Sequence, residues 1–406
     1  MTRAKNPAFM TGYDEFASVR QIEFLESIRE TGSIFRCAEA LNITRATVQG
    51  AMRVLKARAA LRGFSPDHDM RHTVPPTHVA KGVSTYYNKE GRPTAQWVKS
   101  TLSLNAIPEM IRAMVDVMSA EVRGKAPEVQ VPATSNGDLL VVYPLGDPHF
   151  GLYAWGKETG DDFDLDIAER LLHAAVDNLV ASAPPAETGI LLNLGDFFHM
   201  DNQSNLTQSG HQLDADSRWS KVMQIGLRAM IYAVNKLREK HATVIVRNVK
   251  GNHDKHSSFA LSLAMDAYFS KTPGVQVDLS PADFWFYRFG KVLLGSTHGD
   301  QCKKEALPGV MACDVPLDWG ATSFRYFLVG HVHHDEIKEF PGCTVESFRT
   351  LAAKDAWHAG KGYRSGRDMR CIILHRQYGE IGRYRCDISM IEQASRAART
   401  GLHGGA

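Results

Sequence analysis

The sequence is short of the features that would make it a membrane, secreted or disordered protein. No run approaches 18 apolar residues, the length a membrane-spanning helix needs. Residues 1–20 hold no apolar stretch of the signal-peptide kind, so the expectation is a soluble, cytoplasmic chain with no membrane partner. There is no CxxC spacing: Cys37, Cys302, Cys313, Cys343, Cys371 and Cys386 lie far apart and read as reduced thiols, not as a disulfide framework. No internal repeat is visible. Charge of either sign is not in excess, since 47 Lys and Arg against 45 Asp and Glu leave a net +2. That excludes indiscriminate coating of nucleic acid but not a local basic patch. A hydrophobic share of 44% with 23% charged residues is ordinary globular composition, and 406 residues are enough for two or three domains. What is plentiful is histidine, 17 in all.

Along the chain, residues 1–17 lack periodicity and read as a flexible tail. From Ser18 to Pro66 the pattern is helical: Ile22, Leu25 and Ile28 recur up to Gly32, Ser33 caps a second helix through Leu41, and Thr44 caps a third to about Leu61. Residues 67–124 form a connector, with a hairpin at about 79–100 turning at Lys89-Glu90-Gly91 and a helix around Pro108–Val122. Residues 125–137, poor in large apolar side chains, are the best linker. From 138 to 390 strand, loop and helix alternate. The apolar runs LLVVYPL, GILLNL, TVIVRNV, KVLLGST and YFLVG are separated by helices at Leu165–Ala183, Arg218–His241 and Ser257–Lys271. Ala168, Leu171, Leu172, Ala175, Val176, Leu179 and Val180 give the first of these an apolar stripe. Continuous apolar strands alternating with helices indicate an α/β layered core, with further strands between Thr344 and Ile388. Residues 391–406 read as a disordered tail.

Each of the five apolar runs ends in a polar cluster: Gly146-Asp147-Pro148-His149, Gly195-Asp196-Phe197-Phe198-His199, Gly251-Asn252-His253-Asp254, His298-Gly299-Asp300 and Gly330-His331-Val332-His333-His334. Side chains at the carboxyl ends of adjacent strands converge on one crevice in open α/β sheets. Imidazoles, carboxylates and an amide oxygen brought together suit Mn, Fe or Zn. The alternation in Asp-x-His and His-x-His points two ligands of one strand end to the same side, and the preceding glycines let the backbone turn.

In this order the clusters resemble the calcineurin-like metallophosphoesterases, over roughly residues 138–345. The resemblance implies a four-layer β-sandwich flanked by helices and two divalent metal ions, Mn²⁺ by preference with Fe or Zn as alternatives. One ion would be held by Asp147, His149, Asp196 and His333. The other would be held by Asp196, Asn252, His298 and His331, with Asp196 shared. It also implies hydrolysis of a phosphodiester by water activated between the ions, with His253 as hydrogen-bond donor or general acid, oriented by Asp254. Gly-Asp-Phe-Phe-His and His-Gly-Asp are similar to motifs of the SbcD-type DNA repair nucleases. There the added histidine, here His199, contacts the region of the scissile phosphate. The broad family usually has Asp or Asn where His199 stands, and Asp201 and Asn202 lie nearby as replacements for that residue.

Residues 38–48 resemble a helix-turn-helix. Ala38 and Ala40 allow close crossing, Asn42 suits a left-handed turn, and Ile43 with Val48 fills the shared core. Arg45, Thr47 and Gln49 then sit near the exposed start of the third helix, followed by Arg53 and Lys56 as DNA contacts. Arg45, Arg53, Lys56, Arg58 and Arg62 are unopposed by any acid up to Pro66. Three-helix units also dock proteins. Tyr86, Tyr87 and Trp97 of the hairpin either form a wing or a stacking surface or pack on the catalytic part. The basic stretch Arg349, Lys354, Lys361, Arg364, Arg367 and Arg370 either borders the crevice or is a solvated loop.

The resulting expectation is a metal-dependent DNA exonuclease or endonuclease of bacterial or phage type, carrying a DNA-binding module and compatible with a homodimer. The alternatives are a phosphatase or phosphodiesterase acting on small nucleotides or phosphoproteins, and a DNA-binding regulator whose phosphoesterase domain is a sensor.

Overall fold

A computed structural model describes residues 11–74, 78–90, 92–102, 124, 126–130, 132, 135–202 and 213–401. The helix expected at Pro108–Val122 lies outside these residues, as do residues 1–10 and 402–406 of the expected tails, Gly91 of the hairpin turn and positions 125, 131, 133 and 134 of the linker. The chain divides into two compact units, residues 1–112 and 113–406.

In the first unit, α1 (Val19–Thr31), α2 (Ile34–Ala40) and α3 (Arg45–Leu61) follow the sequence punctuation closely. Ser18, Ser33 and Thr44 each accept a backbone N–H from the first turn, and Gly32 ends α1 in the left-handed region at φ 76°. Asn42, at φ 53°, makes the turn between α2 and α3. Leu25, Ile28, Val48 and Leu55 are fully buried in the shared core, each contributing about 1.5–3 kcal/mol by leaving water. The expected tail is ordered from residue 11 onward: Tyr13 and Phe16 are buried, their rings 5.2 and 5.5 Å from that of Phe64. Two aromatic anchors in so short a segment leave no periodicity to read. Beyond α3, β1 (Phe64–Ser65) pairs with β2 (Met70–Arg71), and β3 (His78–Tyr87) with β4 (Pro93–Leu102) as the expected hairpin. Tyr86, Tyr87 and Trp97 are exposed on it.

The second unit contains β5 (Asn136–Leu145), α4 (Gly156–Thr159), α5 (Leu165–Ser182), β6 (Ala186–Asn193), α6 (Trp219–Arg238), β7 (Thr243–Asn248), α7 (Ser257–Phe269) and β8 (Val275–Asp278). Then come β9 (Trp285–Phe289), β10 (Val292–Thr297), α8 (Leu307–Asp314), α9 (Pro316–Ala321), β11 (Phe324–Val329), β12 (Glu336–Phe340) and β13 (Cys343–Ser347). The last elements are α10 (Ala356–Gly360), β14 (Asp368–His375), β15 (Gly379–Asp387) and α11 (Ile388–Gly401). A six-stranded sheet runs β15-β14-β5-β6-β7-β8 and a five-stranded sheet runs β12-β13-β11-β10-β9. Strands β5 to β8 are mutually parallel, as are β10, β11 and β13, while β9, β12, β14 and β15 pair antiparallel.

The sheets pack face to face. Alternate residues Leu140 and Val142, Ile190 and Leu192, and Ile372 and Leu374 meet Val292, Leu294 and Leu328 in one buried core. On the outer faces α5, α6 and α7 cover the first sheet, and Leu307 and Met311 of α8 cover Leu293, Phe327 and Val345 of the second. This is a four-layer α/β sandwich. Helix α11 stands where a disordered tail was expected from residue 391; Ile388 and Ile391 bury against the sandwich, a staple too short to register as a pattern. None of the six cysteines is paired. Among the described residues no helix is long and apolar enough to cross a membrane.

The buried ring of His241 packs behind the first sheet, its Nδ1 donating to Ala186 O at 2.8 Å and its Nε2 accepting from the Tyr143 hydroxyl at 2.9 Å. Burial pushes this imidazole down to about 4 from a usual value of 6.5. The folded chain therefore binds fewer protons than the unfolded one between these values, so stability falls as pH drops through that window, by on the order of 3 kcal/mol at its lower end. Urea unfolding in EDTA between pH 7 and 4 should show this slope, reduced in His241→Gln; an identical slope in the variant would contradict it.

Candidate metal centre

Strand register brings the five polar clusters level. Leu145 pairs with Asn193 and Asn193 with Asn248 at the ends of β5, β6 and β7, and Thr297 pairs with Val329 at the ends of β10 and β11. The next residues in each chain segment carry the clusters, and the two sheets' loops interlock there. His298 Nδ1 donates to Leu194 O at 2.9 Å, Gly330 N donates to His298 O at 2.9 Å, and His331 N donates to both Asp147 carboxylate oxygens at 2.9 Å. Thr350, which the sequence did not single out, clamps the Asp147 carbonyl with its hydroxyl at 2.6 Å.

Two groups of ligand atoms result. Asp147, His149 and His333 offer one set, and Asp196, His298 and His331 another, the atoms within each set lying within 4.8 Å of one another. His149 Nε2 is 3.1 Å from His333 Nε2, and His333 Nε2 is 3.5 Å from Asp147 Oδ1. In the second set His298 Nε2 is 3.1 Å from Asp196 Oδ2 and 3.0 Å from Asn252 Oδ1. All seven sequence-predicted ligands therefore lie in the crevice.

The backbone that presents them is not extended. Asp147, His149, Asp196, His331 and His333 all have φ between 45° and 68°, the left-handed region. Strand alternation alone would put both ligands of Asp-x-His and His-x-His on one side; the structure achieves this with curled loops. Such residues cost of order 1–3 kcal/mol each and persist where the surroundings over-determine them. The glycines also differ in role. Gly195, at φ 98°, makes a turn, whereas Gly251 is there for proximity: a Cβ on it would lie 2.0 Å from Asp196 Oδ1 and 2.2 Å from Asp196 N.

The donor set fits divalent cations. Asp147 and Asp196 are 0% and 2% exposed, and the hydrogen-bond partners of their carboxylates are imidazoles and backbone N–H groups. Buried carboxylates need positive charge close by. Burial pushes the His298 ring down, but the charge and hydrogen bond of Asp196, with Asp147 behind, outweigh it and lift the ring to about 10. The same field favours a bound ion.

His199 and His253 flank the first set, forming a third group of ligand-type atoms with His149. The His199 ring is buried, with Nδ1 3.3 Å from His149 Nδ1 and no hydrogen-bond partner for Nε2. Burial and the neighbouring His253 push it down to about 3, so it is neutral at physiological pH. His253 Nδ1 donates to the His199 carbonyl at 2.9 Å, which fixes its ring. The resemblance implies Asp254 for that orienting task. Instead Asp254 accepts from Phe198 N at 3.1 Å and Gly251 N at 3.0 Å, stapling two ligand loops together. Burial, and then the charge of Asp196, raise this carboxyl to about 8. Asp201 accepts from His256 N at 3.1 Å and Ser257 N at 2.8 Å at the start of α7.

No family model matches this chain, and no curated protein matches it in sequence. Solved structures similar to it include a conserved protein of Streptococcus pneumoniae described as a predicted phosphoesterase, 10% identical, with 61% of this chain and 98% of that chain covered and a TM-score of 0.26. Vps29 of Entamoeba histolytica complexed with zinc is 15% identical, with 61% and 98% covered and a TM-score of 0.26. Vacuolar protein sorting 29 of Cryptosporidium parvum is 12% identical, with 62% and 98% covered and a TM-score of 0.28. At such scores the likeness carries no functional weight; the site's own residues do.

The basic stretch after the last cluster is largely paired within the fold. Arg349 binds Asp368, Lys354 and Arg367 approach Asp161, and Arg370 lies among Asp335, Glu346 and Asp368. Most of it is structural.

If Asp196 serves both sets, wild-type protein should bind two Mn²⁺ per chain by calorimetry. Asp196→Asn should lower the affinity of both sites, at least about 100-fold by analogy with lost ligand-shell groups. Undiminished binding of two ions by the variant would contradict the shared role.

Proposed function

We propose that this chain is a dinuclear metal-dependent phosphodiesterase whose substrate is nucleic acid, most specifically DNA. The observation that carries this reading is the convergence of Asp147, His149, Asp196, Asn252, His298, His331 and His333 at the ends of five strands, with five of the seven held in left-handed backbone. Asp147, His149, Asp196 and His333 would hold one ion, and Asp196, Asn252, His298 and His331 the other. Two such ions, when bound, neutralise phosphoryl oxygens and lower the pKa of water; Mn²⁺ suits the mixed N/O set, with Fe or Zn as alternatives.

The remaining work falls to the protein. His253, half-buried at the crevice with Nδ1 committed to His199 O, has Nε2 left to deliver a proton to the departing alkoxide. His199, neutral and buried, positions His253 through its carbonyl. The Asp254 staple holds the second and third ligand loops at fixed separation.

The first unit supports the DNA reading. Arg45, Thr47, Gln49, Arg53 and Lys56 are all exposed on α3, behind a Thr44 cap and the left-handed Asn42 turn. Lys56 is bonded to Asp67 at 2.9 Å, which leaves Arg45 and Arg53 as the stronger candidates for phosphate contact.

The test compares end-labelled DNA, RNA and a p-nitrophenyl phosphodiester in Mn²⁺. Asp196→Ala should abolish turnover on every substrate. His253→Ala should lower kcat on the nucleic acid by about 10²–10⁴ and on the nitrophenyl ester far less, because nitrophenolate leaves without a proton. Equal losses on both would remove His253 from the proton path, and Mn²⁺-independent turnover would overturn the reading.

A further inference from the structure

Beside His333 the rings continue outward in a chain that the metal set does not use. His358 stacks on His333 with centroids 5.0 Å apart and planes 25° apart. Trp357 and Tyr363 then meet His358 edge-on, at 5.0 Å and 83° and at 5.1 Å and 84°. They are themselves 6.1 Å apart and tilted by 38°. A metal-ligand ring and two solvent-facing rings are thus separated by one intervening imidazole.

The arrangement is built rather than incidental. Asp355 caps α10, accepting from both His358 N and His358 Nδ1 at 2.7 Å, and Tyr363 N donates to His358 O at 3.1 Å. Helix α10 lies against α4, whose N-cap is Trp155. Asp161 joins the two loops through Lys354 at 3.9 Å and Arg367 at 3.7 Å. Against this order, Trp357 is 58% exposed, Trp155 51% and Tyr363 37%, although large aromatics ordinarily seek burial. Each indole carries a lysine ammonium over its face, Lys361 at 6.0 Å and Lys157 at 5.6 Å. Rigid exposed rings interleaved with cations are the chemistry that holds single-stranded nucleic acid, where bases stack and the backbone is neutralised. The cavity between His333, His358 and Tyr363 measures only about 30 Å³, room for a water and not for a nucleotide, so the open rings are the available surface.

We propose that Trp357 and Tyr363, with Trp155 on the adjoining loop, form a stacking surface for the nucleobase next to the scissile phosphodiester of a single-stranded nucleic acid. The surface takes purine or pyrimidine rings of DNA or RNA and sets which phosphate reaches His333. For its catalytic meaning it rests on the phosphodiesterase reading above, whereas base binding itself does not require turnover.

The test measures binding by full-length protein in EDTA, with fluorescein-labelled dT and rU octamers and a labelled octamer of abasic sugars. Wild-type protein should prefer the base-bearing strands. Trp357→Ala should weaken them about tenfold while leaving the abasic strand unchanged, and Trp357→Phe should restore binding to within about threefold. Tyr363→Ala should act in the same direction as Trp357→Ala. Equal binding of base-bearing and abasic strands by wild-type protein, or an equal loss on both in Trp357→Ala, would overturn the proposal, as expected of a surface that serves a protein partner. Base discrimination in a protein that cleaves no phosphodiester would sustain the surface and sink the phosphodiesterase reading; turnover without base discrimination would do the reverse.

Discussion

The structure depends on two carboxylates, Asp147 and Asp196, buried at neighbouring strand ends with imidazoles and backbone N–H groups around them. Burying two negative charges this closely is unfavourable without compensating positive charge. The lift of His298 toward about 10 is the same field acting on the nearest titratable ring. Everything near the crevice serves to hold these charges in register: the level ends of β5, β6 and β7, the bond from His298 to Leu194 that ties one sheet's loop to the other's, and the Asp254 staple.

The scaffold makes that concentration of charge and strain tolerable. Five ligand residues in left-handed backbone would together cost several kcal/mol. They follow strands whose inner faces interdigitate in one continuous apolar core, so the ligand loops start from rigid points. Asp and His are also among the non-glycine residues that tolerate this backbone best, which limits the cost. The ring chain leading to Trp357 is anchored differently, by the Asp355 cap and the Asp161 ion pairs, and it projects into solvent instead of into the core.

Much of this was legible in the sequence because the relevant signals are local. An apolar run followed by Gly-Asp or Gly-His reports a buried strand and the polar loop at its end, so five clusters and the strands before them could be placed by reading alone. The capping residues Ser33 and Thr44 and the turn at Asn42 are local too. What escaped depends on partners distant in the chain. Arg349 and Arg370 look free until Asp368, Asp335 and Glu346 fold onto them. His253 is oriented by a carbonyl 54 residues away and not by the adjacent Asp254. The rings of His333, His358 and Tyr363 share no sequence pattern, and backbone curl at the ligands has no side-chain signature. Residues 11–17 and 391–401, inside the expected tails, escaped for a different reason: Tyr13, Phe16, Ile388 and Ile391 are single anchors, and single anchors carry no period.

The central claim is that these residues hold two cations side by side. Crystals of the full chain grown with Mn²⁺ and measured at an energy where manganese scatters anomalously test it directly. The account predicts two anomalous peaks, one among Asp147, His149, Asp196 and His333 and the other among Asp196, Asn252, His298 and His331. A single peak, or none at Asp196, would contradict it.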